Sequence, residues 1–238
     1  VMTYPYSVTL YGMRDQLVEV LLDMHGDGKT SYPIEHVGKV AGMLKTVVFS
    51  AIQDTVVAAA KAMEWLRAAA KVVAEGNLPV KWVSPVGMIV VQNYWKTTSK
   101  VISVSTGGMR YRPRVSFQQE GEVKVSKQAA GVAPNFVHSC DASHLMYTVL
   151  SCCEKGVTDF HMIHDSYGTH ARNAATLATT LREQFIHIYG AGDVLANFHE
   201  QLKSQVVGLP DLAESIPPPP VPDTFDLSLV LDSKYFFA

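Results

Sequence analysis

Apolar residues recur every three or four positions through Leu10, Met13, Leu17, Val20 and Leu21, which predicts a helix over Val1–Met24 stopped by Gly26-Asp27-Gly28. Pro5 should bend or restart its first turns. Tyr4, Tyr6 and Tyr11 gather near that bend, where core packing is their simplest use. Pro33 opens a second helix toward Ser50. A third runs to about Ala74 through Val56, Ala59, Ala60, Met63, Leu66 and Ala70, and Gly76-Asn77 ends it. Its many alanines imply close helix contact. Lys61, Arg67 and Lys71 read as a solvated face or as a rail for phosphates.

From Val80 to Gln118 the period changes to two. Val80–Val83 and Met88–Val91 flank Ser-Pro-Val-Gly, and Lys100–Ser105 and Met109–Phe117 flank Thr106-Gly107-Gly108, which predicts two hairpins. Arg110, Arg112 and Arg114 then share one face of a strand. Pro113 between them, lacking an N–H, suits a sheet edge. Such a ribbon fits a DNA major groove, where arginine pairs both acceptors of guanine, or it is a soluble edge protected by charge. Gln119–Lys127 reads as a polar loop. After Gly131, residues 134 to 144 lead into a helix to about Lys155, closed by Gly156.

In Phe160–Ala171 a short alternating strand ends at His164-Asp165 and turns back. No lysine or arginine lies within five residues of Asp165. Its carboxylate is either a turn residue accepting backbone N–H bonds or a ligand left open for a hard cation such as magnesium. Arg172–Tyr189 and Val194–Val206 read as helices, Pro217–Pro220 as a stiff polyproline linker, and Phe225–Ala238 as a docked apolar terminus.

Composition and charge sharpen this pattern. With 238 residues and 47% hydrophobic content the chain can bury a substantial core. No apolar run approaches the roughly 18 residues needed to span a bilayer, so a soluble chain with no membrane partner is expected. Cys140, Cys152 and Cys153 make no disulfide framework and suit a reducing compartment. The net charge of −2 conceals a polarity. Lys96, Lys100, Arg110, Arg112, Arg114, Lys124 and Lys127 face only Glu120 and Glu122, whereas acids predominate after Ala191. The first residue is Val, and a segment of a longer protein is expected.

Several pieces, in order, resemble the C-terminal part of the single-subunit DNA-dependent RNA polymerases of bacteriophages and mitochondria. They are Val1-Met2-Thr3 with Tyr6 and Gly12, Pro134-Asn135-Phe136-Val137-His138-Ser139 with Asp141, Ser143 and His144, His164-Asp165-Ser166 with Gly168-Thr169, and the final Tyr235-Phe236-Phe237-Ala238. The resemblance implies a helix-rich α+β fold, the C-terminal portion of a right-hand polymerase. Residues 1–133 would be part of the fingers, with the end of the motif B helix and a specificity hairpin at about 99–117. Residues 134–238 would be part of the palm, with motif C at 160–171 and a C-terminal foot at 225–238.

The implied chemistry is transfer of ribonucleotides onto RNA along a DNA template, using two magnesium ions. By resemblance Asp165 is a metal-binding catalytic carboxylate and His164 its neighbour at the primer end. Tyr6 and His138 lie at the nucleotide, and Tyr11, Lys100, Arg110 and Arg112 at DNA. Ser7 stands where the family has glycine after the tyrosine, and Pro5 precedes it, which bears on the strictness of sugar selection. The second metal carboxylate and the cations that hold the triphosphate would lie upstream of Val1, so this chain alone is expected to be inactive without an upstream segment or subunit. The implied partners are promoter and template DNA, the RNA product and ribonucleoside triphosphates. The implied setting is the cytoplasm of an infected bacterium, or alternatively the mitochondrial matrix. Two rival readings use the same residues: a His164-Asp165 metal-dependent phosphohydrolase, and a zinc-bearing nucleic-acid module built on His138, Cys140, His144 and Cys152 or Cys153.

Overall fold

A computed structural model describes residues 9–222 and 224–236, apart from the side chain of Glu120. The chain divides into two compact units, Val1–Glu64 and Trp65–Ala238. In the first, helix α1 (Leu10–Gly26) starts where the Thr9 hydroxyl accepts the Gly12 N–H at 3.1 Å. A 3-10 turn at Ile34–His36 follows Pro33 and leads into α2 (Val37–Thr55). Leu21, Val37 and Ala41 form the buried seam between α1 and α2, with Leu17, Val18, Tyr32 and Val40 against it. The expected helix before Thr9 lies outside the described residues.

Helix α3 (Val57–Glu75) follows a break at Val56 and carries the chain into the second unit. Its buried stripe of Trp65, Leu66, Ala69, Ala70, Val73 and Ala74 is the alanine-rich face seen in the sequence. Asn77 ends it in the left-handed region, at φ +59. Strands β1 (Val80–Val83) and β2 (Ile89–Gln92) pair antiparallel, with Val80 opposite Gln92. Val80 and Trp82 face inward.

Helix α6 (Val194–Gln205) covers the outer edge of β1 in an unusual way. Gln205 accepts the Lys81 N–H at 3.0 Å and donates back to the Lys81 carbonyl, while Gln201 does the same at Val83. Each side-chain amide replaces one peptide of a missing third strand, so the edge is closed to other chains.

The second hairpin is longer than expected. β3 (Trp95–Val101) pairs with β6 (Arg114–Val123), and β4 (Val104–Thr106) with β5 (Met109–Tyr111), around Gly107 and Gly108 at φ +57 and +76. The outgoing strand is interrupted at Arg112-Pro113, so Arg110, Arg112 and Arg114 do not lie on one regular strand as the spacing predicted. Pro113 still serves through its carbonyl, which accepts the Ile102 N–H at 3.0 Å.

The stretch 119–127, read as a loop, is the end of β6 and the start of α4 (Val125–Glu154). A ribbon solvated on both faces shows no apolar alternation to mark its end. Helix α4 runs through Gly131 and Pro134, both of which read as breakers. Pro134 only removes one internal N–H, and Gly131 is there for packing, because a Cβ would lie 2.8 Å from the Tyr94 ring. Helix α4 therefore passes without interruption through the fingers–palm division expected near residue 133.

Gly156, at φ +82, closes α4, with the Val157 N–H reaching back to the Cys152 carbonyl. Strands β7 (Phe160–Ile163) and β8 (Ser166–Thr169), α5 (Ala174–Gly190), α6 and the short α7 (Pro210–Ser215) follow. An aromatic cluster centres this unit, with Phe198 against Phe136 at 4.8 Å, Trp82 at 5.7 Å and Trp65 at 6.1 Å between ring centroids. The proline run is less free than the linker expected, since Trp65 donates its indole N–H to the Pro217 carbonyl at 2.8 Å. Among the described residues no single helix is long and apolar enough to cross a membrane. The helix-rich α+β class expected from the sequence is the class observed.

Candidate active site

The β7–β8 hairpin is closed by a two-residue turn, His164-Asp165, between paired Ile163 and Ser166. Phe160 and Met162 of β7 and Tyr167 of β8 pack on buried Cys152, Val157, Leu177 and Leu181, which fixes the hairpin against α4 and α5. His164 does not continue the inward alternation of Phe160 and Met162. It occupies the turn at φ +53, a region costly for a side chain with a Cβ. Asp165 is thereby held exposed at the tip.

Helix α4 brings His138, Asp141 and His144 to the same neighbourhood, at spacing three. Burial pushes the Asp141 carboxyl above its usual range, the nearby His138 and His144 oppose this, and the charge of Asp165 adds to it. Two carboxylates thus feel one another beside the turn. Asp141 received no role from the sequence, although the three-residue spacing of His138, Asp141 and His144 on a helix was the available signal. Beneath them, burial pushes the Tyr167 phenol up to about 12, with Asp141 and Asp165 contributing.

His144 is buried and joins three elements. Its Nε2 lies 2.8 Å from the Leu181 carbonyl, which can only accept, so Nε2 carries the proton. Nδ1 is then the acceptor, and the Tyr167 hydroxyl donates to it at 3.3 Å. Burial lowers the His144 pKa below 6.5, the Leu181 bond and Asp141 notwithstanding. The unfolded chain therefore binds this proton more readily than the folded one. Its contribution to stability is complete above about pH 6.5 and is lost as pH falls toward the folded-state pKa. Denaturant midpoints measured between pH 7.5 and about 5 should fall with acidification, and a His144→Gln variant should show a shallower fall. An identical slope in the variant would remove His144 as the source.

A cleft of about 330 Å³ opens at the turn, lined by Asp165, Ser166, Tyr167 and the α5 residues Ala178 and Arg182. Arg182 donates to the Ala178 and Ser233 carbonyls and lies over the Phe236 ring, 5.9 Å from its centroid. Phe236 also meets Phe185 at 4.8 Å. Phe236 is thus docked beside the Asp165 cleft, while Phe237 and Ala238 lie outside the described residues. A larger cleft of about 530 Å³ lies between the β1–β2 turn, α5 and α6, and contains none of the predicted site residues.

The carboxylate oxygens of Asp165 are hard donors of the kind magnesium takes. They make a partial set: among the described residues no three His, Cys, Asp or Glu side chains are grouped to hold a metal. The same fact weighs against the zinc module, whose His144 is engaged with Leu181 and Tyr167 and whose Cys140 thiol burial pushes up to about 12. His164-Asp165 sits in a hairpin turn rather than on a helix, which does not suit the phosphohydrolase dyad.

Of the other predicted residues, His138 is exposed on α4, and Lys100, Arg110 and Arg112 are exposed on the ribbon. Tyr11 is 76% exposed in the first turn of α1, with Lys45 over its ring at 5.4 Å, so core packing is not its use. Tyr6, with Pro5 and Ser7, lies outside the described residues.

Residues 1–215 match the family model of DNA-dependent RNA polymerase. The T7 RNA polymerase of Escherichia phage T7 is 33% identical over 252 residues, covering all of this chain and 28% of that protein. The mitochondrial DNA-directed RNA polymerase 1 of Nicotiana sylvestris is 37% identical over 238 residues, covering all of this chain and 22% of that protein. The DNA-directed RNA polymerase of Enterobacteria phage T3 is 32% identical, again with the whole chain matched. The chain spans about a quarter of the length of these relatives.

Proposed function

Because the chain belongs to the DNA-dependent RNA polymerase family, we propose that it supplies the Asp165 carboxylate and the promoter-reading ribbon of an enzyme that transcribes DNA into RNA. The observation that carries this reading is Asp165 held at the tip of a two-residue turn, at the mouth of a cleft that also holds Arg182. Asp165 would hold magnesium, which stabilises the attacking and departing oxygens when a hydroxyl displaces pyrophosphate in line. Asp141 on α4 is a second acid that the charge of Asp165 reaches. His164 flanks the primer end, and His138 and Tyr6 contact the incoming nucleotide.

One carboxylate cannot hold two ions and a triphosphate. The reading therefore requires further acids and cations from an upstream segment or subunit, and the chain alone is inactive. Residues 1–133 serve as fingers and 134–238 as palm. The setting is the cytoplasm of a phage-infected bacterium or, alternatively, the mitochondrial matrix. The experiment is magnesium-dependent incorporation of ribonucleotides on a primed DNA template by this chain joined to its upstream segment. Template-directed RNA is the expected product, and activity from the isolated chain contradicts the requirement for a second part.

Lys100, Arg110 and Arg112 read promoter bases from the exposed ribbon, with Tyr11 a further DNA contact. Replacing Arg110 or Arg112 by Ala should cost about 1–3 kcal/mol at particular promoter base pairs. Measured affinities for a panel of singly substituted promoters would check this. A uniform loss across the panel would reduce the arginines to phosphate contacts.

A further inference from the structure

The ribbon that carries Lys100, Arg110 and Arg112 is attached in an uneven way. Every residue from Lys96 to Gln119 is exposed, whereas Gln92 and Val123 at its base are buried. The ribbon therefore acts as a lever whose direction is decided at the root. Eleven residues at about 3.3 Å each give an arm of roughly 35 Å, so a rotation of about 10° at the root moves the tip by about 6 Å.

At that root the register breaks. Trp95 pairs with Val123, but the next residue, Lys96, pairs with Gln119, so 120–122 have no partners on β3. Such a bulge bends a strand and leaves backbone groups unpaired. Gly121 makes the bend possible, at φ +86. The backbone groups on the inner side are taken by one side chain. Asn77 donates its Nδ2–H to the Gly121 carbonyl at 2.5 Å and accepts the Val123 N–H on Oδ1 at 2.9 Å. Outside the bulge, Glu122 is held by Lys96 at 2.9 Å and Gln119 at 2.6 Å.

Asn77 is itself firmly mounted. It follows the last turn of α3, donates its N–H to the Ala74 carbonyl, and stands next to fully packed Val73 and Ala74. The other side of the root is locked too. Gln92 and Gln128 exchange bonds through side chains and carbonyls, Asn135 completes the pair, and the Lys124 N–H meets the Tyr94 carbonyl. Gripping a bulge between two rigid mounts is a way to aim a ribbon.

We propose that Asn77 is a positioning residue for promoter recognition, setting through the bulge at Gly121–Val123 the direction in which the basic ribbon meets DNA. This rests on the reading of the ribbon as the promoter-reading element.

The test uses the complete polymerase with Asn77→Gly. Glycine adopts the left-handed backbone without strain, so the helix end is kept and only the two bonds to the bulge are lost. Two rates are compared: initiation at the promoter, and extension of a primed template that has none. Initiation should fall about tenfold while primed extension stays within about twofold of the parent. Asn77→Asp, which keeps the acceptor and loses the donor, should fall between. Arg112→Ala runs alongside. If Arg112→Ala loses promoter discrimination and Asn77→Gly initiates normally, the inference is overturned and the ribbon reading stands. If Arg112→Ala discriminates normally, the ribbon reading fails and takes the inference with it. Equal loss in both rates, with a lowered melting temperature, makes Asn77 a merely structural residue and also overturns the proposal.

Discussion

Replacing Asp165 by Asn in the complete polymerase is expected to reduce nucleotide addition by about a thousandfold or more, while affinity for a primed DNA template stays within about twofold. Asn has the same size and tolerates the turn, so the hairpin and its packing through Phe160, Met162 and Tyr167 are kept. What is lost is the negative charge at the tip. Single-turnover extension with saturating template separates the two quantities, and extension at the parent's rate would remove Asp165 from the metal site. A second consequence follows from the proximity of the two acids. Without the Asp165 charge, one of the causes that raise the Asp141 carboxyl disappears, so its titration should move downward in the variant.

The largest expected change in stability is at Phe198. It is 1% exposed and touches Trp65, Trp82 and Phe136, so truncation to Ala opens a cavity that the surrounding rings cannot fill. A loss of about 3–5 kcal/mol is expected, with a fall in melting temperature on the order of 10 °C. Urea unfolding of the variant checks it, and a cost below about 1 kcal/mol would show that the cluster is not the centre of this unit. Phe136 shares α4 with His138, Asp141 and His144, so loosening the cluster should also disturb the site's helix.

The helices α1, α2, α3, α5 and α6 were legible because each buries one stripe, and periodicity of 3.6 reports that directly. The β7–β8 hairpin was legible for the opposite reason: alternation stopped at His164-Asp165, where an acid stood without a local cation. Helix α4 was half hidden, because Gly131 and Pro134 are breakers by propensity and tertiary packing overrides both. Gly131 makes room for Tyr94, a contact thirty-seven residues away that no local pattern reveals. The ribbon's extent from Trp95 to Val123 was hidden by its exposure, since neither face is apolar.

Asp165 stood out in the sequence as an acid at a hairpin tip, and the roles expected of Asp165, His164 and His138 came from the resemblance. Asp141 and Tyr167 were given no role, because what surrounds them comes from other elements: the charge of Asp165 reaches Asp141, and Tyr167 donates to His144. Arg182 carries no signal in the sequence beyond its place in the helix expected over Arg172–Tyr189. Only the fold brings it to the cleft and sets it over Phe236. The bulge at the ribbon's root is a matter of register, which sequence patterns do not encode when both strands are solvated.

If Asp165 holds the catalytic metal, the position of that metal can be read from the chain itself. Iron(II) substituted for magnesium in the complete polymerase, with ascorbate and peroxide, generates hydroxyl radicals that cut the backbone beside the ion. Cuts at 163–167 and on α4 near Asp141, suppressed by excess magnesium and missing in Asp165→Asn, are the expected result. Cuts confined to other elements, or a pattern unchanged by Asp165→Asn, would contradict the assignment of the metal to this turn.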